Sequence, residues 1–368
     1  MTNDTWSKQL ENLEQYTDIL RHDGVVFQYL NWLNERLSAP DPGFVEHYQP
    51  IVAETEAEAG EKRPFLSVIM RTQGRRPEML REALLSLAGQ SDEDFEIILI
   101  GHKLDQEQKA LVTGIIEEEP DTMRRKIRFF ELDHGNRTTP LNFGFAKAYG
   151  EYISVLDDDD IVFDHWVASY HEAANAHPGT IIHAYVLDQE WMTVPSGDSE
   201  ALRAVSAPGD QYCKDYSMVR QLESNWCPLM GVAFPRILFQ KYGFIFDESL
   251  TTTEDWDFLI RTSALTGVTD VSEPTCLYRL WENAENSKSI HSEEEWNDNY
   301  AFIEGKYTRM PVLLPAGQEK NNRVLVYRYE KSLRIRIKEK IREYIPDSVW
   351  KVGKFLYRGL GGKKWLGD

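Results

Sequence analysis

The chain has 368 residues, enough for one large domain with additions or for two modest ones. Its hydrophobic content of 42% and charged content of 27% are ordinary for a globular protein. A net charge of -19 argues against a general nucleic-acid binder, because phosphate binding needs a basic surface.

Residues 1–60 read as a helical extension. Trp6, Leu10, Leu13, Thr17 and Leu20 recur at helical spacing, as do Phe27, Leu30, Leu33 and Leu37, with Asp23-Gly24 between the two patterns. Pro40 and Pro42-Gly43 stop the second pattern. Such a pair packs on the main domain or serves an oligomer or partner contact. Residues 53–62 are acidic and poor in large apolar side chains, which predicts a linker. The expected division is a helical extension and linker over 1–62, a main domain over 63–318 and a tail over 319–368. The N-terminus lacks the basic and apolar regions of a signal peptide. The three cysteines, Cys213, Cys227 and Cys276, form no C-x-x-C and suit a reducing compartment, so a cytoplasmic location is expected.

From Phe65 onward strands and helices alternate. Residues 65–70, 95–100, 127–132 and 152–156 read as strands. The intervening stretches carry helical periodicity, with Pro77 suited to a first turn and Asn142 to Ala148 rich in small, closely packing residues. This rhythm predicts an α/β fold with a mainly parallel sheet and helices on both faces. Residues 166–176 and 254–266 read as further helices and 180–186, 230–234 and 275–279 as further strands. Residues 193–212, rich in Pro, Gly, Ser and Asp, read as a long loop.

The strand Tyr152 to Leu156 runs directly into Asp157-Asp158-Asp159-Asp160. In an open α/β sheet, ligands bind beyond the carboxyl ends of the strands. Four adjacent carboxylates there suit a hard cation such as Mg²⁺ or Mn²⁺, and equally a solvated acidic loop. Thr253-Glu254-Asp255 opens a later helix, where acidic residues suit the helix dipole and a Thr suits a cap.

Taken together, these segments resemble the inverting glycosyltransferases of family 2, which have the Rossmann-like GT-A fold. The likeness runs from Pro64 to about Ser289. It is carried by Leu66-Ser67-Val68-Ile69, by Arg81 to Leu87 with Gln90, and by Asn142-Phe143-Gly144 with Gly150 to Ile153. The Asp run matches the family's D-x-D motif, and Gly243 to Glu248 followed by Thr253 to Asp257 matches its acceptor-side segment. The resemblance implies a metal-dependent transfer from a nucleotide-sugar donor to a hydroxyl of a glycan or lipid-linked acceptor. It implies Asp255 as the base, with Glu254 as a second candidate. Asp157 would lie near the donor's sugar or ribose, Asp158 on the donor side, and Asp159 with Asp157 on Mg²⁺ or Mn²⁺.

The pattern departs from the family in places. Gly101-His102-Lys103 follows the second strand where an Asp pair is usual, which makes His102 a candidate donor contact and leaves the nucleotide base open. Trp281 stands near where the family's late metal-site histidine is expected, with His291 a substitute ligand ten residues further on. Arg71 suits either the nucleotide or a carboxylate, and Arg279 the diphosphate, with Lys288 a further candidate. Trp226 and Trp256 are candidate acceptor contacts, since aromatic faces stack on sugars.

From Lys320 to the end, fourteen Lys/Arg stand against five Asp/Glu, mixed with Trp350, Phe355 and Leu360. Such a basic amphipathic helical tail suits an anionic membrane surface, or packs on an acidic body. The reading is a glycosyltransferase of cell-surface polysaccharide synthesis, peripheral on the inner face of the membrane. The alternatives are a nucleotidyltransferase-like enzyme and a non-catalytic sugar-binding assembly protein of the same fold.

Overall fold

Two strands with almost no exposed residue set the frame. The computed structural model describes residues 34, 35, 37–60, 62–197, 199–282 and 291–307. The helical pattern expected over residues 1–33, Lys288 and the basic tail over 319–368 lie outside these residues. In β1 (Leu66–Thr72) and β2 (Phe95–His102) successive side chains alternate between two hydrophobic layers. Val68, Met70, Ile97 and Leu99 face one layer, and Ile69, Ile98 and Ile100 face the other. Strands covered on both faces carry continuous apolar runs, which is what the sequence provides.

β1 pairs in parallel with β2 and with β4 (Tyr152–Val155), and β2 pairs in parallel with β3 (Ile127–Leu132). The sheet continues as β8 (Val232–Pro235), antiparallel to β4 and to β6 (Ile181–Ser196). β6 and β9 (Val268–Trp281) run parallel to each other, and β5 (Ile161–Val162) closes the far side on β9. The order is β3-β2-β1-β4-β8-β6-β9-β5, with β7 (Ser199–Ala204) hung on β6. The sheet thus begins as the expected parallel α/β arrangement and mixes direction after β4.

Helices cover both faces. On one, α2 (Pro77–Ala88) buries Met79, Leu80, Ala83, Leu84 and Leu87, and α3 (Gln106–Glu118) packs beside it. On the other lies α4 (Thr139–Lys147), pressed close to the strands: a Cβ on Gly144 would sit 2.5 Å from Ile69 Cγ2. Further helices are α5 (Trp166–Ala176), α6 (Met218–Glu223), α7 (Glu254–Thr266) and α8 (Glu293–Tyr307), with short helical turns at Asp121–Arg124 and Ile237–Gln240. No helix among the described residues is long and apolar enough to cross a membrane.

Two expectations are corrected. Much of the segment read as a linker is helical: α1 (Gln49–Glu58) follows a helical turn over Phe44–Tyr48, and it buries Val52 and Thr55. Its acidic residues face outward or pair, as Glu54 does with Lys147 and Glu56 with Arg63 and Arg236, so low hydrophobicity did not prevent packing. The segment over 193–212 is not one long loop, because β6 runs on to Ser196 and turns back as β7, pairing Trp191 with Ala204.

Phe44 and Tyr48 are integral to the second hydrophobic layer. Phe44 is 2% exposed and meets Phe239 edge-on at 5.6 Å, and Tyr48 donates to Glu248. Phe44→Ala should therefore cost about 3–5 kcal/mol in urea unfolding, lowering the midpoint at an unchanged slope. An unchanged midpoint would mean that this segment is only an appendage.

Candidate active site

β4 ends where the acidic run begins. Leu156 N–H still bonds Ile69 O at 3.0 Å, and Asp160 N–H returns to Asp157 O at 3.3 Å, folding the four aspartates into a turn. Because β1 and β4 are parallel neighbours, the turn opens at the same sheet edge as Arg71 and Thr72. The turn divides the four side chains. Asp158 and Asp160 are each 3% exposed, whereas the Asp157 and Asp159 side chains keep 35% and 19% of their surface.

Each carboxylate has a different partner. Arg71 holds Asp157 with two bonds, Nε–Oδ1 at 2.8 Å and Nη2–Oδ2 at 3.1 Å, and gives Nη1 to Arg137 O. Asp158 accepts from Thr72 Oγ1 at 2.6 Å and from Arg76 Nη2 at 2.6 Å, and Arg76 Nη1 reaches Asp159 Oδ2 at 2.5 Å. Asp160 accepts the Arg279 N–H at 2.7 Å, and the Arg279 side chain donates to Asp159 O and to Glu82. These partners separate the carboxyls electrostatically. Burial works to raise Asp157, yet the Arg71 guanidinium, with Arg137 and Arg76, holds it below the ordinary carboxylate value. Burial, with repulsion from Asp159, pushes Asp158 up to about 6 despite Arg76. Burial drives Asp160 well above the ordinary range.

The second half of the site is the first turn of α7. Thr253 precedes it in the left-handed region at φ 62°, rare for a β-branched residue, and its hydroxyl bonds Thr252 O instead of capping the helix. Glu254 is 2% exposed. Its Oε1 lies 3.1 Å from Arg137 Nε and 3.6 Å from Arg71 Nη1, and its Oε2 is buried without a hydrogen-bond partner among the described residues. Asp255 is only partly buried and accepts from Asn225 Nδ2 at 2.9 Å and from the Trp256 N–H at 2.8 Å. Burial and the Glu254 charge push Asp255 up to about 6. Arg71 therefore touches both halves, Asp157 on one side and Glu254 on the other.

The segment leading into this turn is fixed by α4. Asn142 bonds Phe246 in both directions, Nδ2 to O at 3.0 Å and N–H to Oδ1 at 2.8 Å. Glu248 accepts from Asn142 at 2.9 Å and from Thr139 at 2.7 Å.

Of the residues singled out from the sequence, Arg71, Asp157, Asp158, Asp159, Glu254 and Arg279 are drawn together by the arginines, and Asp255 stands next to Glu254 but bonds Asn225 and the Trp256 N–H instead. His102 lies at the end of β2, 6% exposed, with Nε2 on His134 O at 2.9 Å; burial lowers its pKa, which favours the neutral ring. His291 pairs with Glu295 at 3.0 Å and stands edge-on to Trp296 at the start of α8. Trp226 is half-buried beside Asn225, with Arg220 5.5 Å from its ring. Trp256 is corrected from acceptor contact to core residue: it is 0% exposed, donates to Gln221 O and packs on Tyr300, so it has no face for a sugar. Arg76, Arg137, Asn225 and Glu82 were not singled out. Arg76 had one usable signal, a cation where a helix N-cap is expected. A hollow of about 640 Å³ lined by Phe65, Tyr152, His171 and Arg236 contains none of these residues.

No three acidic, histidine or cysteine side chains converge as metal ligands among the described residues. A hard dication that also binds phosphate needs only one or two protein carboxylates. Asp159, held by one oxygen and partly exposed beside Asp157, fits that donor set.

Residues 67–213 match the family described as glycosyl transferase family 2. An uncharacterized glycosyltransferase of Rickettsia typhi is 26% identical over 265 residues, which cover 69% of this chain and 76% of the relative. One of Nostoc sp. is 24% identical over 223 residues, covering 59% of this chain and 66% of the relative. The crystal structure of S. aureus TarS 1-349 in complex with UDP-GlcNAc matches with a TM-score of 0.52 at 15% identity over 68% of each chain, a likeness of fold. The match over residues 67–213, the relatives and the likeness of fold together support a family 2 glycosyltransferase with the GT-A fold.

Proposed function

We propose that the chain transfers a sugar from a nucleotide-sugar donor to a hydroxyl of a glycan or lipid-linked acceptor, with inversion, in cell-surface polysaccharide synthesis. The observation that carries this reading is the junction of two carboxylate sets through Arg71: Asp157–Asp160 at the donor end and Glu254-Asp255 at the acceptor end. TarS, crystallised with UDP-GlcNAc and sharing the fold, puts a uridine diphosphate sugar first among donors to test. The basic tail would bring the enzyme to the inner face of the membrane, where a lipid-linked acceptor lies.

Asp255 takes the proton of the acceptor hydroxyl. The acceptor oxygen then forms its bond to the anomeric carbon from the face opposite the diphosphate, whose bond breaks with its electron pair. Attack on that face inverts the centre. Mg²⁺ or Mn²⁺, held by Asp159 with Asp157, would supply positive charge to the leaving diphosphate. Asn225 orients the Asp255 carboxylate, and burial together with the charge of Glu254 keeps Asp255 more basic than a free aspartate.

A base must be unprotonated to act. With Asp255 at about 6, activity should rise through pH 6 and level off above it. Asp255→Asn should lower kcat roughly 10²- to 10⁴-fold, the usual weight of a general base, and unchanged turnover would remove the assignment. Glu254→Gln removes the neighbouring negative charge, so the Asp255 titration should fall from about 6 toward the ordinary aspartate value. Carboxyl ¹³C NMR reads that shift independently of rate.

Donor binding is tested by thermal unfolding with UDP, GDP and dTDP, each with and without Mn²⁺. A ligand that binds only the native state raises the melting temperature by mass action. One nucleotide should give a Mn²⁺-dependent rise of a few degrees that Asp159→Ala abolishes. No shift with any nucleotide would count against a donor site at the Asp turn.

A further inference from the structure

Arg76 occupies a position that local rules disfavour. It is the N-cap of α2, where Ser, Thr, Asp or Asn normally satisfies a first-turn N–H, and its side chain makes no such bond. A cation there also opposes the helix dipole. Pro77 holds Arg76 out of the helical conformation, at φ -128° and ψ 67°, so the side chain leaves the helix end and reaches the Asp turn. When a residue breaks local preference in this way, the compensation is sought at a functional site.

Its two bonds differ in depth. Arg76 Nη2 meets Asp158 Oδ1 at 2.6 Å, and that carboxylate side chain is 4% exposed. Arg76 Nη1 meets Asp159 Oδ2 at 2.5 Å, where Asp159 is 19% exposed and Arg76 itself 29%. The Asp158 bond is an inner pivot, and the Asp159 bond is the outer one that a ligand reaches first. Arg71 is more enclosed, at 14%, and is tied to Asp157 by both carboxylate oxygens.

We propose that Arg76 is a resident counter-cation for Asp159, displaced from it by an incoming divalent cation while its inner nitrogen stays on Asp158. The freed edge of the guanidinium then binds the donor's diphosphate. This rests on the reading of the Asp turn as the donor end. Its physical basis is competition. A dication and a guanidinium repel each other at one carboxylate, so the dication alone binds poorly. A diphosphate supplies negative charge for both, so dication and diphosphate bind cooperatively through Arg76, and the coupling is reciprocal.

The test is Mn²⁺ binding to the full chain, followed by the EPR signal of free Mn²⁺, with and without UDP or GDP. Wild type should bind Mn²⁺ weakly alone and much more tightly with the nucleotide that it accepts. Arg76→Gln should bind Mn²⁺ alone roughly ten-fold more tightly, the scale expected for removing one charge-assisted bond from the competing carboxylate. It should also lose most of the gain from nucleotide. Arg76→Lys, which keeps a charge but not the two-pronged fork, should fall between the two and guards against a folding defect in the glutamine variant. Mn²⁺ binding that Asp159→Ala abolishes but Arg76→Gln leaves unchanged or weaker overturns the counter-cation and spares the donor site. Absence of Mn²⁺ binding in every form, with and without nucleotide, overturns both.

Discussion

Four carboxylates in sequence at the end of a buried strand repel one another, and much of the surrounding site answers that repulsion. Two like charges about 4 Å apart at an effective dielectric near 20 repel by roughly 4 kcal/mol, a large fraction of a domain's net stability. The offsetting cations come from distant parts of the chain: Arg71 from β1, Arg76 from the N-cap of α2 and Arg279 from β9. The acidic turn therefore depends on the tertiary fold. It forms only when the first and last strands of the domain are both in place. At Asp160 the cations do not offset the cost: burial, with the neighbouring Asp159 charge, raises its carboxyl well above the ordinary carboxylate value.

This arrangement links the two halves of the site. Arg71 satisfies Asp157 with two parallel bonds, and the same guanidinium lies against Glu254. Glu254 in turn is the like charge that, after burial, keeps Asp255 basic. Arg71 therefore stands between the Asp turn and the Glu254-Asp255 turn. Arg279 adds a second anchor. Its guanidinium lies 5.1 Å from Trp191 and 5.0 Å from Trp281, so the two longest strands close against the same turn.

The parallel half of the sheet was legible because its strands are covered on both faces and carry uninterrupted apolar runs. β1, β2 and β4 needed no tertiary information. The turn after β6 was not legible, since Pro195, Ser196 and Gly197 carry loop chemistry whether the chain wanders or doubles back as a hairpin. α1 was hidden for a different reason. Its burial rests on Val52 and Thr55 alone, and its many glutamates find partners or water. In the site, the acids were legible as a motif, but their partners were not. Arg76, Arg137 and Asn225 are single polar residues in loops or caps, and what each touches is decided by pairing across the fold. Trp256 shows the converse error: adjacency in sequence to Asp255 placed it at the cleft, yet successive residues of a helix point to different sides, and this one points into the core.

The left-handed Thr253 indicates how the Glu254-Asp255 turn is held. A non-glycine residue in that conformation costs on the order of 1–3 kcal/mol and persists only where its surroundings enforce it. The enforcement comes largely from α8. Asn299 donates to Thr252 Oγ1 at 2.8 Å and Thr251 Oγ1 at 3.0 Å, fixing the residues before the strained one. On the other side, Asp257 is fully buried and receives Lys306 Nζ at 2.9 Å, Tyr307 OH at 2.7 Å and Arg261 Nε at 2.8 Å. Phe246 stacks on Phe258 at 3.9 Å beneath the same turn. A buried carboxylate needs cationic partners, and Lys306 from α8 shares that role with Arg261 while the Tyr307 hydroxyl adds a hydrogen bond. α8 thus acts as a brace rather than a trailing element. Without it, Thr253 would relax toward an ordinary backbone conformation, and Asp255 would lose its position opposite Asn225.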